Sequence, residues 1–211
     1  AGGRTDPRIL LMSGVVVGDS PDWIAQRLTH AGMRPINNVV DVSNLVNVEL
    51  NQPNHAYDAA SVASGFVVRT ARGGERFVTL DGVERELVSD DLLICDGNDV
   101  PVGIAGIMGG QASEVRSDTT EIAVEIAHFD PATVARSASR LGLRTEASLR
   151  FERGVDPHGA EKAVRRFAEL LSLTYPDLVV HDAMSDVRSA DLVGESTPVA
   201  LRPSQVRRVL G

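Results

Sequence analysis

The 211-residue sequence predicts an α+β fold, with a β-sandwich-like core of mixed sheets flanked by about three helices. Three observations carry this expectation. From Phe66 to Ala105, short apolar runs recur at regular spacing and are broken by turn residues. Helix start and stop signals fall on both sides of that stretch, and no regular alternation of strand and helix calls for a parallel sheet. Aromatics make up only 4% of a chain that is 43% hydrophobic, so the core has to be built mainly from Val, Leu, Ile and Ala.

Leu10 to Val17 reads as the first strand. A helix follows, with Ser20 as N-cap, Pro21 at its first position, Asp22 near the positive end and Gly32 as terminator; Trp23, Ile24 and Leu28 supply its apolar stripe. Trp23, the single tryptophan, is expected to anchor packing rather than hold a ligand. Arg34 to Asp58 is harder to place, because Val39, Val40, Val42, Leu45, Val46 and Val48 fit neither the helix nor the strand period, which leaves a buried strand pair or a helix open until Pro53. The same stretch holds Asn37, Asn38, Asn44, Asn47, Asn51, Gln52 and Asn54. Buried amides need hydrogen-bond partners, so these are exposed or line a polar pocket.

FVVRTAR, RFVTL, the turn Asp81-Gly82, and LLICD before Gly97 make an antiparallel sheet. GIAGIMGGQ follows, with Gly103, Gly106, Gly109 and Gly110 interrupting an apolar strand, a pattern that suits close approach of a backbone or ligand. It is no phosphate loop, since neither Gly-Lys-Ser nor Gly-Lys-Thr follows. EIAVEI, Glu121 to Ile126, alternates; with Ile122, Val124 and Ile126 on the core face, Glu125 is expected to face outward. Asp130-Pro131 opens a helix that Gly142 closes, and Asp156-Pro157 opens another running to about Ser172. After Tyr175-Pro176 come LVVHDAM and a second short strand at SDVRS, then a polar link near Gly194 to Thr197. PVALRPSQVRRVLG reads as a strand and a helix start with Ser204 as N-cap, so residues 1–190 are expected to form one domain and 191–211 a linker with the start of the next.

Composition narrows the function. One cysteine, Cys95, excludes an internal disulfide framework and fits a reducing, cytoplasmic setting, and its place in the apolar run LLIC argues against a catalytic thiol. No stretch approaches a membrane span, and AGGRTDPR has no signal-peptide core, so no membrane association is expected. The formal charge of −8 argues against binding nucleic acid unaided. Against this, Ala132 to Arg166 carries eight basic and four acidic residues; Arg136, Arg140, Arg144, Arg150 and Arg153 lie in that window, the one candidate footprint for phosphates. The five histidines form no metal-ligand set, and no Gly-x-Ser-x-Gly elbow is present. The residues alone leave an amide-rich turn with His55, a glycine-rich strand and Glu125, which suit positioning of water and a polar substrate.

NNVVDVSN with QPNHAYD, GIAGIMGGQASEV with AVEIAHFDP, and GLRTEASLRFERGVDP, in this order, closely resemble the editing module of the bacterial phenylalanyl-tRNA synthetase beta subunit, its third and fourth domains. The likeness is strong from about Ser20 to Ser172. It implies hydrolysis of the ester of mischarged Tyr-tRNA(Phe), because a hydrophobic synthetic pocket discriminates weakly against an added hydroxyl and a second site corrects the error. By the same resemblance, Glu125 accepts the tyrosine hydroxyl and so points into a cavity. Gly106 and Gly109 give backbone N–H groups and room for the ring. His55, with Asn44 and Ser43, holds the attacking water and the ester end, while Thr145 and Ala147 shape the wall. The implied partners are the alpha subunit of an α2β2 enzyme, the tRNA(Phe) 3′ end and tyrosine. No cofactor is implied for this fragment, and ATP and Mg²⁺ belong to the whole synthetase. A non-catalytic scaffold that has lost editing, and a stand-alone deacylase, are the alternatives. Two departures stand out: Ser43-Asn44-Leu45 replaces Thr-Asn-Tyr, which is expected to remove an aromatic wall, and Asn51-Gln52-Pro53 replaces Gly-Gln-Pro.

Overall fold

The computed structural model describes residues 5–63, 65–186 and 200–211. In chain order the elements are β1 (Thr5–Ser13), α1 (Asp22–His30), α2 (Asn38–Leu50), β2 (Asn54–Asp58), β3 (Phe66–Thr70), β4 (Arg76–Val78), β5 (Glu84–Glu86), β6 (Leu92–Asp96), β7 (Pro101–Ile104), β8 (Met108–Gly109), β9 (Glu121–Phe129), α3 (Pro131–Leu141), α4 (Glu146–Phe151), α5 (Ala160–Thr174), β10 (Val179–Asp186) and α6 (Pro203–Leu210). Two four-stranded sheets, ordered β10-β1-β9-β2 and β3-β6-β7-β8, and a small β4-β5 ribbon make up the β part. All described pairings are antiparallel. The α+β class holds, with more helices than the three expected.

The first sheet lies between two hydrophobic clusters. Leu10, Met12, Ala56, Ile122, Val124 and Ile126 join residues of α1, α2 and α5 in one. Ile9, Tyr57, Ala123, Ala127 and Phe129 join Leu92, Leu93, Val102 and Ile104 of the second sheet, with Val134 and Phe151 of α3 and α4, in the other. Alternation along β9 therefore sends successive side chains into two different cores, and only Glu121 at its start is exposed. Glu125 is 5% exposed, so the expectation that it faces outward is overturned: the face opposite the isoleucines is covered by the second sheet.

The ambiguous valine-rich stretch is a helix. Asn37 caps it by accepting the Val40 N–H at 2.9 Å, and Val39, Val42, Leu45 and Val46 form its buried stripe. The period is blurred because Asn38, Asp41 and Asn47 on neighbouring faces are buried too. Ser20 does not cap α1. Its hydroxyl donates to the Asp41 carboxylate at 2.5 Å, and α1 begins at Asp22 with Pro21 in the cap position. Trp23 departs from the expected apolar stripe: it is 37% exposed, with the Arg27 guanidinium 5.3 Å from its ring centre, while Ile24 and Leu28 are fully buried.

Strand β1 starts and ends earlier than Leu10–Val17, although Val15 still packs into the core. The glycine-rich run forms a tight β7-β8 hairpin rather than one strand. Asp130 and Pro131 open α3 and Gly142 closes it, as the caps indicate. Helix α4 was not anticipated; Thr145 and Ser148 cap it reciprocally. Helix α5 begins at Ala160, later than Asp156-Pro157, because Asp156 instead closes a turn on the His158 N–H. Strand β10 pairs with β1. Helix α6 starts at Pro203 with Arg202, not Ser204, in the cap position. The polar link, the start of the expected strand before α6, most of SDVRS and the boundary near residue 190 lie outside the described residues.

Candidate functional site

Strand pairing creates the site. His55 on β2 stands directly opposite Glu125 on β9, so their side chains share one face. Tyr57, two residues on, shares that face, and its ring meets the His55 imidazole edge-on at 4.5 Å and 74°. Opposite them the second sheet supplies Ile94, Gly103, Ile104 and the β7-β8 turn, and Ala147, Phe129 and Phe151 close the side. The cavity, partly open to solvent, has about 70 Å³ of water-accessible space, room for several waters.

Both key glycines have a steric reason. Gly106 sits in the hairpin turn closed by the Ile107 N–H to the Ile104 carbonyl, at φ 71°, and a Cβ there would lie 3.0–3.1 Å from Phe151, Phe129 and Val134. A Cβ on Gly109 would stand 2.5 Å from Nε2 of His55. The space beside Gly109 is taken up by the histidine ring, and that beside Gly106 by the aromatic wall, rather than being left open.

Electrostatics set the protonation states. His55 retains some accessible surface, yet its Nε2 is fully enclosed without a hydrogen-bond partner, and burial lowers its pKa to about 4. Burial raises the Glu125 carboxyl to about 8. Tyr57 is pushed well above the ordinary phenol value by burial and then by the nearby Glu125 charge. At neutral pH the site thus holds a neutral imidazole, a mostly protonated carboxyl and a neutral phenol. The Asn54 Oδ1, at the same cavity, is likewise buried without a partner. Buried polar groups are nearly always paired, so two unpaired atoms, His55 Nε2 and Asn54 Oδ1, at one cavity make it a candidate site for a polar ligand or water.

Of the residues singled out from sequence, His55, Glu125, Gly106, Gly109 and Ala147 line the cavity. Ser43 and Thr145 do not; they hold the residues that do. Ser43 donates to the Asn54 carbonyl at 3.2 Å while the Asn54 amide donates to the Ser43 carbonyl at 3.1 Å, tying α2 to β2. The Thr145 hydroxyl donates to the Ile107 carbonyl at 2.8 Å and so steadies the glycine turn. Asn44 lies half-buried on α2 and does not reach the cavity.

Most of the other amides in that stretch organise backbone. Asn38 bonds the Gly18 N–H and the Val16 carbonyl, and Gln52 bonds the Ala127 carbonyl at 2.8 Å. Leu45, expected to replace a pocket wall, packs among the helices at 4% exposure and leaves the cavity untouched. Asn51 occupies the left-handed position after α2, φ 53°, where asparagine is the usual substitute for glycine. Tyr57 was missed, although its i+2 spacing from His55 in NHAYD puts both on one strand face.

The arginines do not form one free patch. Arg140 pairs with the Asp91 carboxylate, Arg150 with Glu146 at 2.6 Å, and Arg144 lies 3.8 Å from Glu152. Arg136 donates to the Thr133 hydroxyl and Arg153 to the Leu149 carbonyl. Cys95 is buried, with its thiol raised to about 11, which fits an inert core residue. No described helix is long and apolar enough to cross a membrane.

Residues 8–175 match the B3/4 domain family. The chain belongs to that family. This B3/4 domain is 48% identical over 202 residues to a phenylalanine–tRNA ligase beta subunit of Gloeobacter violaceus, covering 95% of the chain and 25% of that relative. It is 54% identical over 164 residues to the subunit of the same name from Cutibacterium acnes, covering 77% and 19%. The chain thus spans about a quarter or less of the length of these relatives. Among solved structures, an N-terminal fragment of the phenylalanyl-tRNA synthetase beta subunit from Pyrococcus horikoshii superposes with a TM-score of 0.54 at 10% identity, over 87% of this chain and 50% of that one, a likeness of fold.

Proposed function

We propose that this B3/4 domain is the editing module of a phenylalanine–tRNA ligase beta subunit and hydrolyses the ester of Tyr-tRNA(Phe). The observation that carries the reading is the pairing of His55, whose Nε2 is buried without a hydrogen-bond partner, opposite the buried Glu125 carboxyl in a cavity between two sheets. Glu125, kept protonated by burial, offers one acceptor and one donor to a phenolic hydroxyl, a group phenylalanine lacks.

With a pKa near 4, His55 is too weakly basic at neutral pH to be an efficient general base, so its task is to orient the water that attacks the ester carbonyl carbon. The bond from that carbon to the tRNA 3′ oxygen then breaks, the proton lost by water ends on that oxygen, and tyrosine leaves. In this reading the task of steadying the developing oxyanion falls to backbone N–H groups of the glycine turn. Ser43 and Thr145 act one step back, by fixing Asn54 and Ile107.

Amino-acid activation with ATP and Mg²⁺ and pairing with an alpha subunit are assigned to the rest of the enzyme. Among the described residues no cluster of three His, Cys, Asp or Glu side chains is present to hold a metal. Delivery of the tRNA 3′ end draws on other domains too, given the charge of −8 and the ion-paired arginines.

The test is clearance of Tyr-tRNA(Phe) by the intact synthetase carrying Glu125→Ala or His55→Ala. Each is expected to slow hydrolysis by at least about tenfold, the loss of one transition-state hydrogen bond. Clearance at the wild-type rate would sink the site assignment. An intact wild type that clears nothing would make the domain a scaffold.

A further inference from the structure

We propose that Tyr57 is a specificity-determining residue of this site, its phenol and the Glu125 carboxyl together gripping the para-hydroxyl of the tyrosyl group. The inference rests on the editing reading and adds a second reader of the same oxygen. Tyr57 is 1% exposed, and its hydroxyl has no hydrogen-bond partner among the described residues. The ring is clamped edge-on by His55 and at 5.4 Å by Phe66, and the hydroxyl reaches the facing sheet, 3.2 Å from where a Cβ on Gly103 would lie. The residue therefore spans the gap between the sheets and presents a fixed donor on the cavity floor beside Glu125.

A phenylalanine would fill the same space and make the same ring contacts, so packing does not require the oxygen. The cavity beside that hydroxyl has room for water, and a ligand oxygen that displaces the water has to replace its hydrogen bond. The para-hydroxyl of a tyrosyl ester brings one donor and two acceptor sites. Tyr57 donates to it, while the Glu125 carboxyl exchanges a second hydrogen bond with it. A phenylalanyl ester would displace water from both groups and offer no hydrogen bond in return, so the correctly charged tRNA is rejected on the same two contacts that hold the wrong one.

The experiment compares Tyr57→Phe with wild type in the intact synthetase, using Tyr-tRNA(Phe) and Phe-tRNA(Phe). The variant should lose about tenfold in kcat/KM for the tyrosyl substrate, mainly through KM, with an unchanged melting temperature and a matching fall in selectivity over the phenylalanyl substrate. Combined with Glu125→Gln, the losses should be less than additive, because both groups hold one oxygen. A merely structural tyrosine would lower both rates together or shift the melting temperature, and either result overturns the proposal. Undiminished selectivity in a wild-type background that edits overturns it alone. A wild type that does not edit overturns the editing reading, and this inference falls with it.

Discussion

On one face of β9, Ile122, Val124 and Ile126 meet α1, α2 and α5; on the other, Ala123, Glu125 and Ala127 meet the second sheet together with His55 and Tyr57. Burial is similar on the two sides, but their chemistry differs. The helix side consists of branched and aromatic hydrocarbon and is stabilised by removing it from water. The sheet side uses alanines to flank a carboxyl, which leaves space for a cavity where His55 Nε2 is buried without a hydrogen-bond partner. Stability is thus concentrated on one face and chemistry on the other, three ångströms of strand rise apart.

The sharpest way to break this contrast is to substitute adjacent residues of the same strand. Ile126→Ala empties a fully buried site in the helix-side core and is expected to destabilise the domain by about 2–5 kcal/mol in urea unfolding, while the ring of polar groups one residue away keeps its arrangement. Glu125→Gln should leave stability unchanged or higher, since it replaces a carboxyl that burial disfavours in its charged form, and should cut hydrolysis of the tyrosyl ester. A destabilised Glu125→Gln, or an Ile126→Ala of wild-type stability, would show that the faces are not divided in this way.

The same division explains what could be read from the sequence. The helix side was largely legible: Ile122, Val124 and Ile126 alternate cleanly and Ile24 and Leu28 fit a stripe, while α2 stayed open between strand and helix because its polar neighbours are buried too. The sheet side was not, because alternation says which residues share a face but not what covers it, and Glu125 read alone looked solvent-facing. Only the resemblance turned it inward. The amides misled in the opposite direction: Asn37, Asn38 and Gln52 bond main-chain groups rather than line a pocket, which residue type cannot distinguish. Thr145 and Ser43 belong to the site only through backbone carbonyls, and no spacing rule exposes such contacts.

A smaller effect separates packing from chemistry within the sheet side itself. Gly109→Ala places a methyl where the His55 ring now lies, at a backbone conformation alanine can adopt. The domain should lose about 1–3 kcal/mol from overpacking, and editing should fall with the displaced imidazole. Shortening the ring in Gly109→Ala/His55→Ala should restore much of the stability and none of the activity. If the double variant were no more stable than the single one, the clash would not be the reason for glycine here.

The mildest test reads both titratable groups at once. His55 has its pKa lowered from 6.5 to about 4 by folding, so the unfolded chain binds the extra proton in that interval and stability rises with pH across it. Glu125 is raised from 4.5 to about 8, so the folded chain binds the extra proton and stability falls as pH rises through that interval. Between pH 4.5 and 6.5 the two slopes oppose each other, and above 6.5 only the carboxyl remains. From pH 6.5 to 7.5 the wild-type domain should therefore lose about 1 kcal/mol, close to the limit of one proton per pH unit. Glu125→Gln should remove that loss and expose the rising histidine slope between pH 4.5 and 6.5. A wild-type unfolding free energy that stays flat above pH 6.5 would mean that Glu125 meets more water or more partners than its place between the sheets allows.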